Sequence, residues 1–161
     1  MSRRSIVIDT DTASDDAIAL VLAVREPSVD VRAVTVVAGN VPLDLAVRNA
    51  TVTLDLCGGA GIPVHAGRDR PLVRPLDTAQ FVHGADGMGG ATLPAPARTP
   101  TSDDAVGVLV EIAANEPGRH DLVTLGPLTN VAAALEADPD LLTNFGHTYL
   151  MAGAPDLSLI H

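Results

Sequence analysis

A chain of 161 residues suits one domain with a real core and is too short for two of ordinary size. Its net charge of −10 argues against nucleic acid, whose phosphates want a basic surface, and fits a metal site and small neutral substrates. There is no lysine, which removes Schiff-base chemistry and the P-loop lysine together.

In chain order, Ser5-Ile-Val-Ile-Asp9 reads as a short strand with an apolar centre, followed by a helix near 14–26. Ser14 is the expected N-cap, which puts Asp15 and Asp16 in the first turn, where the macrodipole favours anions. Ala17, Leu20, Val21 and Val24 follow at i, i+3, i+4 and i+7 and give that helix an apolar face. Further strands are expected near 31–37, 120–125 and 147–151, with a shorter one near 62–65. Further helices are expected near 42–57, 102–115 and 128–137. Pro42 near the start of the second helix and Gly58-Gly59 after its end match the usual Pro-in, Gly-out asymmetry. Thr101-Ser-Asp-Asp104 is a good start for the third. This alternation predicts a single α/β domain over 1–161, with a mainly parallel sheet flanked by helices. With only Phe81, Phe145 and Tyr149 aromatic, its core must be built from Val, Leu, Ile and Ala.

The stretch 66–100 breaks the pattern. It is rich in Gly, Pro and Arg and has no sustained period, so we expect a long mobile loop with room for one short helix. No apolar run reaches the roughly 18 residues a membrane span needs, and Met-Ser-Arg-Arg followed by a strand is no signal peptide. One cysteine, Cys57, rules out an internal disulfide. It is expected to be a buried, inert small hydrophobe in a protein of the reducing cytoplasm.

The chemistry concentrates at the first strand–helix junction, where Asp9, Asp11, Asp15 and Asp16 place four carboxylates within eight residues. Like charges packed this tightly at the end of a buried strand are costly unless a cation sits among them. A divalent metal with oxygen ligands is the expected cation. Asp9 and Asp11 share a face if the strand extends that far, and a strand tip aimed at a helix start is where open α/β sheets put their ligands.

Asp9-Thr-Asp-Thr-Ala-Ser-Asp-Asp-Ala17 resembles the amino-terminal signature of the inosine-uridine nucleoside hydrolase family, with Thr12 and Ala13 as acceptable variants. Further segments agree in order: Thr35-Val-Val-Ala-Gly-Asn40 with Arg48-Asn-Ala50, His83-Gly-Ala-Asp-Gly-Met-Gly-Gly90, and Leu122-Val-Thr-Leu-Gly-Pro-Leu-Thr-Asn130. The resemblance implies a Rossmann-like nucleoside hydrolase core and Ca2+-dependent cleavage of the N-glycosidic bond of ribonucleosides. It implies Asp11 and Asp16 as metal ligands with the Leu125 backbone carbonyl, and Asp9 behind them orienting the site. Asp11 is then the general base, Asp15 and Asn40 hold ribose hydroxyls, and His83 belongs to a substrate-facing flap. The implied partner is a small ribonucleoside, and homo-oligomers are common in such a family.

Family members are about twice this length, and the match covers their amino-terminal half. Met151-Ala-Gly-Ala154 resembles the family's Met-Gly-Gly-Ala strand end, but the closing 155–161 segment departs from the pattern and His161 matches no family histidine. The residues that complete the ribose pocket, a later metal-ligating Asp and the His that protonates a purine are not found. A truncated core of weak or no activity is therefore expected. One alternative is a non-catalytic metal- and ribose-binding fragment. Another is a haloacid-dehalogenase-type phosphatase, for which Ile-Val-Ile-Asp-x-Asp is suggestive but Ala13 and the missing lysine are not.

Overall fold

The computed structural model describes residues 3–152. Five strands form one sheet: β1 (Arg4–Thr10), β2 (Val29–Val36), β3 (Val64–Ala66), β4 (His120–Thr124) and β5 (Thr148–Leu150). Their order is β3-β2-β1-β4-β5, and every neighbouring pair is parallel. The helices between them are α1 (Ser14–Arg25), α2 (Leu43–Cys57), α3 (Gln80–His83), α4 (Ala105–Asn115), α5 (Thr129–Ala137) and α6 (Leu141–Asn144).

The period of two along β1 sorts the helices into layers. Ile6 and Ile8 join Leu20 of α1, Ala50 and Leu54 of α2, and Val34 and Val36 of β2 in one core. Val7, between them, points the other way and meets Leu109, Val131, Leu141 and Phe145. Both faces of the sheet are covered, so the later parts of β1 (Ile6–Thr10) and β2 (Ala33–Val36) are buried residue after residue rather than at every second position.

The chain builds β2 and β3 on one side of β1, then crosses to lay β4 and β5 on the other. This reversal opens a crevice at the carboxyl ends of β1 and β4, the general ligand position of such sheets. The aspartate segment leaves β1 at that point.

All five strands and the four long helices lie where the sequence puts them, with three differences. Helix α1 begins at Ser14 itself, because the Asp16 carboxylate reaches back to accept the Ala13 N–H at 3.1 Å and leaves the Ser14 hydroxyl free. Helix α4 starts at Ala105 rather than near 102, where Asp104 caps it by accepting the Gly107 N–H at 2.9 Å. Helix α6 is a single turn, too short to carry a periodic signal.

The 66–100 stretch is irregular apart from α3. It is tied back at several points: Ala38 N–H to the Arg68 carbonyl (2.9 Å), Ala79 N–H to the Asn40 carbonyl (3.0 Å), and Arg98 to Asp55 of α2 (2.9 Å). Cys57 is buried and free. No described helix is long and apolar enough to cross a membrane. Gly153, Ala154 and the 155–161 segment with His161 lie outside the described residues.

Candidate active site

Asp9 is the penultimate residue of β1 and is fully enclosed. Its Oδ1 accepts from Thr35 Oγ1 at 2.6 Å and from Asn130 Nδ2 at 2.9 Å. Thr35 comes from the neighbouring strand β2 and Asn130 from the start of α5, so three elements meet on one oxygen. The other oxygen, Oδ2, is buried without a partner. Burial pushes the Asp9 carboxyl up to about 6 despite those two hydrogen bonds.

Asp11 lies just past β1, which ends at Thr10, so it is not a continuation of the strand face that carries Asp9. Its Oδ2 accepts the backbone N–H of Asn40 at 2.6 Å, and its Oδ1 is buried and unpartnered. Glycine is required on both sides of this carboxylate. A Cβ on Gly126 would lie 2.6 Å from Asp11 Oδ1, and one on Gly39 would collide with Oδ2 and the Pro127 ring. Burial, and behind it the nearby Asp15 and Asp9 charges, raises Asp11 to about 6.

Asp16, 4 % exposed, is raised further, to about 7, by burial and by the Asp11 charge. Asp15 on the same turn is largely exposed. It stands 3.8 Å from Nδ1 of His83, which also shares a 3.1 Å hydrogen bond with the freed Ser14 hydroxyl. The His-Gly loop thus closes onto the start of α1.

The structure therefore gathers Asp9, Asp11, Asp15, Asp16 and His83 around the β1–α1 junction, with Asn40 joined to them through its backbone. Leu125 enters the same crevice, donating its N–H to the Asp9 carbonyl at 2.8 Å, and the following Gly126 lies against Asp11. Three supporting residues carry roles the sequence reading did not give them. Asn130, which the sequence shows only as the end of a family-like segment, holds Asp9 and also accepts the Arg68 N–H at 2.9 Å. Gly39 and Gly126 leave room for Asp11. Their signal was the glycine beside each strand end.

A hard divalent cation fits this donor set. Buried oxygens without partners, and carboxyls raised by burial and, for Asp11 and Asp16, by neighbouring carboxylate charge, are what a cation would relieve. The side-chain donors are sparse, however. Among the described residues no three His, Cys, Asp or Glu side chains gather as a metal-binding group.

The family model for inosine-uridine preferring nucleoside hydrolase matches residues 6–157. A probable uridine nucleosidase of Arabidopsis thaliana is 42% identical over 154 residues, covering 94% of this chain and 48% of the plant protein. The inosine-uridine preferring nucleoside hydrolase of Crithidia fasciculata is 36% identical, with 93% and 48% coverage. Among solved structures, a purine-preferring ribonucleoside hydrolase from Gardnerella vaginalis superposes with a TM-score of 0.89 at 29% identity, over 94% of this chain and 49% of that one. The chain spans about half the length of the curated relatives it matches. On the family match, the parallel sheet and the aspartate-bearing crevice together, this chain belongs to the inosine-uridine preferring nucleoside hydrolase family.

Proposed function

We propose that this chain supplies the metal- and ribose-binding half of a Ca2+-dependent ribonucleoside hydrolase, which splits a ribonucleoside into ribose and free base. The observation that carries the reading is the unpartnered, buried Oδ1 of Asp11 beside Asp16, at the switch point of a sheet that belongs to this family. Asp11 and Asp16 would hold the ion with the Leu125 backbone carbonyl, and Asp9, clamped by Thr35 and Asn130, would orient them. When bound, a divalent cation lowers the pKa of water and stabilises charge at the sugar.

The chain's own residues do the rest. Asp11 would take a proton from water as it bonds to the anomeric carbon. The C–N bond breaks with its electron pair going to the base, which also gains a proton, so water is added across the bond. Asp15 and Asn40 would hold ribose hydroxyls, fixing the sugar and gripping it harder as it flattens toward the oxocarbenium-like state. His83 would cover it from the flap. The similar proteins carry names with different base preferences, uridine, inosine-uridine and purine. A phosphatase reading is set aside by the family match.

A second reading, a metal- and ribose-binding module without turnover, is favoured by the sparse donor set among the described residues. Calorimetric titration of Ca2+ into metal-free protein tests the site. We expect one binding event, lost in Asp16→Ala. A cooperatively melting protein that takes up no Ca2+ would refute the metal site. Ribose release by the 161-residue chain, abolished in Asp11→Ala, would exclude the module; Ca2+-dependent ribose binding without release would establish it.

A further inference from the structure

Asn49 is fully buried in the middle of α2. An amide there costs free energy unless its polar atoms are satisfied, and a leucine would serve the helix better. Its hydrogen bonds leave the helix. Nδ2 donates to the carbonyl of Thr12, in the aspartate loop, at 3.2 Å, and to the carbonyl of Asp86, in the His-Gly loop, at 2.8 Å. Oδ1 accepts from Arg48 at 3.3 Å. One side chain therefore ties the loop that carries the carboxylates to the loop that carries His83.

The His-Gly loop is shaped to receive it. Asp86 Oδ1 accepts the N–H groups of Met88 (2.9 Å) and Gly90 (3.2 Å), and the Gly89 N–H reaches back to the His83 carbonyl at 2.8 Å. Gly87 has φ +75°, and a Cβ there would lie 2.7 Å from Val41 and 3.2 Å from Asn49 Nδ2. The turn can seat on Asn49 only because this residue is glycine.

We propose that Asn49 is a positioning residue, whose amide clamps the Asp86–Gly87 turn to Thr12 and so sets where His83 stands over the sugar site. That the loop faces a ribonucleoside rests on the proposed function. The clamp itself does not, and it is tested without turnover.

The experiment is amide hydrogen exchange on the full chain, with two-dimensional NMR of the His83 imidazole. In Asn49→Leu the Gly87 and Gly89 amides are expected to lose protection about tenfold or more, the scale of losing one well-made buried hydrogen bond. The His83 ring resonances should move while the amides of β1 and β4 keep their protection. Thr51→Val, which removes another buried polar group of α2, should leave both readouts at the loop unchanged. If Asn49→Leu does not fold, Gly87→Ala pries the same contact apart from the loop side and should give the same local loss. Unchanged loop protection and His83 resonances in a folded variant would overturn the clamp. So would losses spread evenly through loop and sheet, or equal effects in Thr51→Val. Failure of the wild-type chain to take up Ca2+, with the local loss in Asn49→Leu intact, would instead count against the proposed function alone.

Discussion

A single carboxylate shows how much support a buried charge requires. Asp9 has no exposure, and two donors from two other elements converge on one of its oxygens. Asn130 is the more consequential donor, because it also bonds the Val36 carbonyl at 3.1 Å and accepts from Arg68. Truncating it leaves a buried carboxylate oxygen, a carbonyl and an N–H short of partners, each of which costs about 1–3 kcal/mol. Asn130→Ala is therefore expected to lose at least about 2 kcal/mol in urea unfolding. Asn115→Ala, at the exposed end of α4, should stay within about 0.5 kcal/mol. Equal losses in the two would mean that Asn130 is ordinary helix surface. The sequence marked Asp9 because its carboxylate and three others fall within eight residues. It could not mark Asn130 in the same way, because that residue's partners lie 94 and 121 positions away.

At the scale of an element, the β1–α1 junction was the most legible part of the chain. A strand, a run of aspartates and a helix start follow one another locally, so periodicity and charge spacing suffice to read them. What the sequence missed was the division of labour, with Asp16 serving the cap and Ser14 released toward His83. The junction also sets a pH dependence. Asp9, Asp11 and Asp16 hold their protons up to about 6, 6 and 7, above the ordinary 3.8. Between about pH 4 and 7 the folded chain binds protons that the unfolded chain has released, so stability falls as pH rises through that window. The carboxyls with lowered values, Glu26, Asp86 and Glu116, act in the opposite sense and below it. A tenfold change in one carboxyl's proton affinity is about 1.4 kcal/mol, and each kcal/mol moves Tm by a few degrees in a domain of this size. With chelator present, Tm should fall by at least about 5 °C from pH 4.5 to 7.5. Millimolar Ca2+ should restore it at the upper end, because the ion binds the deprotonated carboxylates. A flat or rising chelated profile would mean that these carboxylates are not strained.

For the whole molecule, alternation of elements gave the layers and the parallel sheet, but strand order is a matter of long-range pairing that no local pattern encodes. The order leaves β3 and β5 at the margins. Among the described residues β5 has no strand on its outer side, and Tyr149, Leu150 and Met151 are each about half exposed. An unpaired parallel strand with apolar residues is a template for another chain, and natural edges are usually blunted by charge or proline. Here Arg4 lies over the Tyr149 ring at 5.7 Å and pairs with Asp121, so its charge does not guard the edge itself. Helix α1 adds a second apolar strip, with Ile18 63% and Leu22 66% exposed. The net charge of −10 opposes association at low ionic strength and is screened as salt rises. Sedimentation velocity should therefore show concentration-dependent self-association that strengthens with salt. Leu150→Lys should weaken it by placing a charge on the open edge, and Ile18→Lys should have the smaller effect, because α1 offers no unpaired backbone. A monomer at all salt concentrations would mean that the edge is covered. A larger effect from Ile18→Lys would move the contact to the helix face.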